Sequence, residues 1–156
     1  MMEFNNKPFA CKFLSLNVKG IRDKKKLESV FAWLKDKQVD VAFLQETYST
    51  LDIKDGWRSS WNGNLYFSHG TNYSKGVTVL IDSKLDIQVL NVNTDRDGRY
   101  IVIDCIIQGL TFIIANVYFP VRGKTSEQMN FFNDFDKTLE KMKVKDNPII
   151  IGATLI

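Results

Sequence analysis

Residues 11–16 form a short apolar run, and at Lys24 the period changes: Leu27, Val30, Phe31 and Leu34 fall at i, i+3, i+4 and i+7, the stripe of an amphipathic helix. Residues 39–44 are again apolar and too compact for another helix. Strand, helix, strand in that order predicts a right-handed crossover with the first two strands as parallel neighbours. Five further stretches have β character: 57–61 with 65–67, 77–81, 87–92, 100–107 and 111–117. Turn residues separate them, among them Asn62-Gly63-Asn64, Ser74-Lys75-Gly76, Asp82-Ser83 and Asp97-Gly98, and such short links imply antiparallel pairing. Gln108-Gly109 between two long apolar runs is the clearest hairpin. Thr125 opens a second helix with Gln128 three residues on, a capping-box spacing, and Met129, Phe132, Phe135, Leu139 and Met142 supply its apolar stripe. Residues 148–152 read as a last buried strand.

Composition narrows the class further. A chain of 156 residues with 44% hydrophobic and 25% charged positions is long enough for one domain with a real core, and is not disordered, collagenous or coiled coil. No apolar run approaches the roughly 20 residues of a membrane span and the start is polar, so an intracellular protein is expected. Cys11 and Cys105 each sit in apolar runs without a second ligand nearby and read as reduced core residues. The net charge is only +3. The first 78 residues carry 12 Lys+Arg against 8 Asp+Glu, and much of that excess is Lys19, Arg22, Lys24, Lys25 and Lys26. Such a cluster reads as a solvated helix start or as a phosphate-binding segment.

In an α/β sheet, polar residues just past the carboxyl ends of strands converge on one edge, where ligands bind. Asn17, Glu46 and the pair Asn116 and Tyr118 hold such positions. An anionic oxygen, a neutral amide and a phenol meeting there suit a hard divalent cation and a phosphate. The single histidine, His69, lies in the polar run Ser68-His69-Gly70-Thr71 and reads as a turn residue.

Four segments carry a family resemblance: Phe13-Leu14-Ser15-Leu16-Asn17-Val18-Lys19-Gly20, Val41-Ala42-Phe43-Leu44-Gln45-Glu46-Thr47, Lys75-Gly76-Val77-Thr78-Val79-Leu80-Ile81 and Asn116-Val117-Tyr118-Phe119-Pro120. Together with Gly56-Trp57 and Asp97-Gly98-Arg99-Tyr100 they resemble the endonuclease/exonuclease/phosphatase superfamily. Within it the chain is most similar to the apurinic/apyrimidinic-type endonuclease domain of non-LTR (LINE-type) retrotransposons. The resemblance implies a Mg²⁺ (or Mn²⁺) cofactor held by Glu46 and Asn17, with Tyr118 and Asn116 as catalytic residues. Tyr118 would contact the scissile phosphate and Asn116 would help hold the site's shape. It also implies DNA as partner, with Lys19, Arg22, Lys24, Lys25 and Lys26 on its phosphates, and a nuclear location if the element's function is retained.

The implied fold is α/β, half of a four-layer α/β sandwich of mixed, mainly antiparallel sheets with outer helices. Residues 11–152 form the partial domain, 1–10 a polar extension and 153–156 an unrelated tail. Where the family carries Gly-Asp-x-Asn, Gly152 is followed by Ala153, Thr154 and Leu155, and a later Ser-Asp-His is missing. Impaired hydrolysis is therefore expected, along with an uncovered inner face on the first sheet through which copies could associate. A non-catalytic nucleic-acid-binding module and a phosphatase of the same superfamily are the alternatives.

Overall fold

The computed structural model describes residues 8–120, 123–142 and 146–154. Leu155, Ile156 and the first seven residues of the N-terminal extension lie outside them. Strand β1 (Phe13–Asn17) leads through helix α1 (Lys24–Asp36) to β2 (Val41–Gln45), and β1 and β2 pair in parallel. This is the expected crossover. Asp23 starts α1 because its carboxylate accepts the Lys26 N–H at 2.9 Å, satisfying one of the helix's orphan donors. A single 3₁₀ turn (Leu51–Ile53) and helix α2 (Lys54–Ser60) precede β3 (Gly63–Ser68) and β4 (Val77–Asp82), which complete a sheet of order β1-β2-β4-β3.

Residues 57–61 are thus not a strand. Trp57 and Trp61 stand four residues apart, which on α2 and its C-cap turns both rings onto Phe31 of α1, at 6.3 and 5.4 Å between centroids. Aromatic content mimics β propensity, and packing against α1 decides for the helix.

A second sheet follows, β5 (Ile87–Thr94), β6 (Tyr100–Ile107), β7 (Leu110–Tyr118) and β8 (Ile149–Thr154), in the order β5-β6-β7-β8. Gln108 and Gly109 both take positive φ, 49° and 80°, which the tight β6–β7 hairpin requires. Helix α3 (Thr125–Met142) connects β7 to the parallel strand β8. The link between β4 and β5 is short, yet those strands do not pair: there the chain steps from one sheet to the other.

That step overturns the expectation of an uncovered face. Val41, Phe43, Val77, Val79 and Ile81 of the first sheet pack against Ile101, Ile103, Cys105, Ile107 and Ile114 of the second. The inner face is therefore filled within the chain, and no self-association is needed to cover it. On the outside, α1 and α2 cover the first sheet through Leu27, Phe31, Leu34 and Trp57, and Phe131, Phe135 and Met142 of α3 cover the second. Four layers result: helices, sheet, sheet, helix. Burial pushes the Cys105 thiol up to about 12 and the Cys11 thiol up to about 11, consistent with unreactive, reduced core residues. Strand β8 runs on through Ala153 and Thr154, paired with Val117 and Tyr118, so these two residues of the expected tail belong to the sheet. No helix among the described residues is long and apolar enough to cross a membrane.

Candidate active site

The strand directions bring the carboxyl ends of β1, β2, β3, β5, β7 and β8 and the starts of β4 and β6 to one end of the sandwich. Asn17 and Gln45 are register partners on adjacent strands, about 4.8 Å apart, and Glu46 is the next residue. Beyond the strand ends, the turn carrying Glu46 is held on both sides. Val18, Gly20 and Ile21 N–H groups donate to the carbonyls of Gln45, Glu46 and Thr47 at 3.0, 2.6 and 3.2 Å, while Thr47 and Tyr48 N–H groups donate to Gly76 and Lys75 carbonyls at 3.0 Å each. Glu46 and Tyr48 adopt left-handed φ values of 52° and 57°, uncommon for residues with side chains. The surrounding hydrogen bonds impose them, and they turn Glu46 and Tyr48 out of ordinary strand alternation. A β-carbon on Gly20 would lie 2.4 Å from the Tyr48 ring, so only glycine lets that ring close over the chain.

The Glu46 carboxylate is the hub. The Tyr48 and Tyr118 phenols both lie close enough to feel it: burial first, then the charge and hydrogen-bonding capacity of Glu46, hold both phenols above their ordinary pKa. Arg99 partly offsets this at Tyr118, its guanidinium carbon lying 5.9 Å from the Tyr118 ring centroid. Arg99 is anchored by its own backbone, whose carbonyl accepts the Tyr118 N–H at 2.7 Å. Asp95 shapes that loop, accepting from the N–H groups of Arg99 and Tyr100 at 2.9 and 3.0 Å and from the Ser68 hydroxyl at 2.7 Å. Asn17 accepts the Lys19 N–H on Oδ1 at 3.0 Å, which leaves that oxygen a second lone pair for a cation.

Asn116 takes a different place from one at a phosphate. It is fully buried, its Nδ2 donating to the Leu44 and Thr78 carbonyls at 2.9 Å each and its Oδ1 accepting from Gln45 at 2.7 Å. Its three hydrogen bonds tie the second sheet to the first.

The basic segment also divides. Arg22 is half-buried and donates to the Tyr48 carbonyl at 3.1 Å, to Thr50 and to Asp52 at 3.5 Å, so it clamps the loop after Glu46. Lys24 is exposed beside Glu28 at 3.8 Å, Lys26 reaches the Lys19 carbonyl at 3.2 Å, and Lys19 and Lys25 are exposed. His69 is half-buried in the same loop cluster: its Nδ1 lies 3.1 Å from Ser49 Oγ and its ring stacks on Phe67. Burial and then Lys54 lower its pKa.

Tyr48, Arg99, Asp95 and Gln45 are the residues that sequence reading did not single out. Arg99 could have been found in Asp97-Gly98-Arg99-Tyr100, a segment already matched to the family pattern. Chemically, the arrangement offers one anionic oxygen flanked by two protonated phenols, an amide oxygen and a guanidinium, a set that fits a cation and an oxyanion side by side.

The comparisons with known proteins agree with this layout. An endonuclease/exonuclease/phosphatase family model matches residues 14–152. The chain is 30% identical over 139 residues to an uncharacterized 149 kDa protein of transposon TX1 from Xenopus laevis, covering 89% of this chain and 10% of that protein. Among solved structures it is similar to an AP endonuclease from Leishmania major (TM-score 0.58, 17% identity, 83% of this chain and 46% of that one). It is also similar to a mannosyl-6-phosphatase from Bacteroides thetaiotaomicron (TM-score 0.63, 10% identity, 89% and 62%). The chain thus spans about a tenth of the curated relative's length and about half to three fifths of these solved chains. With the family pattern covering nearly its whole length and the strand ends assembling the matched residues at one edge, the chain belongs to the endonuclease/exonuclease/phosphatase family.

Proposed function

We propose that the chain is an endonuclease-type phosphodiester hydrolase domain that acts on DNA with Mg²⁺ or Mn²⁺, its hydrolytic step impaired by Ala153. The observation that carries this reading is the gathering of Asn17, Glu46 and Tyr118 at the same strand ends, with the Glu46 turn clamped by backbone hydrogen bonds and Arg99 against Tyr118. Among the described residues no group of three or more His, Cys, Asp or Glu could hold a metal. A zinc cage is thereby disfavoured, while one carboxylate and one amide oxygen fit a hard cation that keeps most of its waters. When bound, such a cation would polarise a phosphoryl oxygen and lower the pKa of a bound water.

The remaining steps belong to the chain's own groups. Tyr118, kept protonated by burial and by Glu46, donates to a phosphoryl oxygen, and Arg99 neutralises charge beside it. Ala153, where the family pattern has Asp, has no atom that can take a proton from water. The likeness to a transposon protein supports a mobile-element origin, and with that origin go DNA as substrate and the nucleus as its place of action in this reading. Supercoiled plasmid incubated with the chain, with Mg²⁺, Mn²⁺ or chelator and beside Glu46→Ala, tests the reading. The expected result is plasmid binding at low salt with nicking no faster than the chelator control. Nicking that needs metal and vanishes in Glu46→Ala would contradict the impairment, and absence of binding at low salt would contradict DNA as the substrate.

The exposed lysines make a separate prediction. Each phosphate contact contributes about 0.9 to the slope of log affinity against log salt. Replacing Lys24, Lys25 and Lys26 by alanine is expected to lower that slope by about 2 to 3, measured by filter binding across a salt series. Arg22→Ala, which removes a loop clamp, is expected to leave the slope unchanged. Equal slopes for the triple variant and the parent would remove α1 from the interface.

A further inference from the structure

The space between the two sheets is apolar along most of its length, and at the end beneath Glu46 it turns polar. Gln45 is fully buried there. Its Nε2 lies 2.7 Å from Asn116 Oδ1, 3.0 Å from Ser15 Oγ and 3.2 Å from the Phe43 carbonyl, and its Oε1 accepts the Thr154 hydroxyl at 2.8 Å. Asn116 in turn donates to the Leu44 and Thr78 carbonyls. One network therefore ties β1, β2 and β4 of the first sheet to β7 and β8 of the second.

Stability alone does not account for it. Two apolar side chains of matching shape would fill the same space at little or no loss, because the net gain from a buried hydrogen-bonded pair is small. What a hydrogen bond adds is direction. Apolar faces pack without preferred orientation, whereas amide–amide contacts hold their distance within a few tenths of an ångström and their angle within a narrow cone.

The residues that make the contact are placed to use that. Gln45 directly precedes Glu46. Asn116 stands two residues before Tyr118 on the same face of β7, and Thr154 is the register partner of Tyr118. We infer that Gln45, Asn116 and Thr154 form a latch between the sheets that holds the Glu46 carboxylate in register with the Tyr118 hydroxyl, making them positioning residues for the cation and phosphate. The inference rests on the reading of Glu46 as a cation ligand given above, and it goes beyond it by assigning the alignment to two buried amides and a half-buried hydroxyl that stand behind both ligands. It also gives Thr154 a part in the site, through a hydroxyl at the end of β8.

Thr154→Val removes the hydroxyl while keeping the β-branched shape that suits a strand, and Thr154→Ser keeps the hydroxyl. Mn²⁺ binding to the 156-residue chain, followed by electron paramagnetic resonance, is expected to weaken about tenfold in Thr154→Val and to recover in Thr154→Ser, with Thr154→Ser unfolding near the parent's urea midpoint, Thr154→Val at a lower one because the buried Gln45 Oε1 loses its partner, and both folded at the titration conditions. Side-chain amide exchange of Gln45, read by NMR, is expected to be slow in the parent and in Thr154→Ser and fast in Thr154→Val. Parent-like Mn²⁺ affinity in Thr154→Val, with Glu46→Ala losing binding, overturns the latch. Unchanged binding in Glu46→Ala overturns the cation reading instead. The amide exchange then judges the latch by itself: acceleration in Thr154→Val supports it, and no acceleration overturns it.

Discussion

Glu46→Ala is expected to weaken Mn²⁺ binding by more than about 100-fold, beyond the loss typical of removing a group that merely orients a ligand. The size follows from how little else the site offers. Glu46 is the only carboxylate on the turn held between residues 18–21 and 75–76, and the described residues hold no alternative cluster of metal-ligating side chains. Glu46→Gln keeps the size and polarity of the side chain yet loses the charge, so it is expected to bind Mn²⁺ as poorly as the alanine variant. The same substitution reports on the phenols. Part of the upward displacement of the Tyr118 pKa comes from Glu46, through its charge and its hydrogen bond. Without Glu46, Tyr118 is expected to ionise at lower pH than in the parent, followed by tyrosinate absorbance in an alkaline titration. A parent-like Mn²⁺ affinity in Glu46→Ala would place the cation elsewhere.

Gly152→Val is expected to destabilise the fold by about 3 kcal/mol, the upper part of the range for overpacking a filled core. A β-carbon at Gly152 would stand 2.5 Å from Cδ2 and Cγ and 2.6 Å from Cβ of Phe43. The contact is with the root of the ring rather than its tip, so a change of rotamer relieves little of it, and Phe43 is only 2% exposed with no room to withdraw. Gly152 thus sets how closely β8 approaches the first sheet, and with it how Thr154 reaches Gln45. Phe43→Leu opens a cavity and is itself destabilising, but combined with Gly152→Ala it is expected to cost less than the two changes summed. Urea unfolding of the four species measures that coupling. Strict additivity would mean that β8 does not rest on Phe43.

How far the sequence revealed this arrangement depends on the range of the signal. The α1 stripe, the Gln108-Gly109 hairpin and the parallel β1–β2 pair follow from periods and turn chemistry within a few residues, and all three are present. Trp57 and Trp61 misled because aromatic residues serve strands and buried helices alike, and only contact with Phe31 decides between them. The change of sheet between β4 and β5 was also hidden, since a short polar link serves a hairpin or a crossing between layers equally well. At the site, Asn17, Glu46 and Tyr118 were legible as polar residues at the ends of apolar strands. Tyr48 was not, because left-handed backbone at Glu46 and Tyr48 breaks the alternation on which such a reading depends. Arg99 and Gln45 acquire meaning only through partners distant in the chain. Arg22 shows the converse: charge made it look like a phosphate contact, and its hydrogen bonds make it a loop clamp.

The central claim is that one end of this sandwich holds a divalent cation and a DNA phosphate together at Glu46 and Tyr118. Thermodynamic linkage makes that claim measurable without any cleavage, since a cation that helps hold the phosphate must raise DNA affinity by the same factor by which DNA raises cation affinity. The direct measurement is the fluorescence anisotropy of a short labelled duplex titrated with the chain, with and without Mn²⁺, in the parent and in Glu46→Ala. The account predicts affinity about tenfold tighter with Mn²⁺ in the parent and no effect of Mn²⁺ in Glu46→Ala. Equal affinity with and without Mn²⁺ in the parent, or the same gain in both proteins, would contradict it.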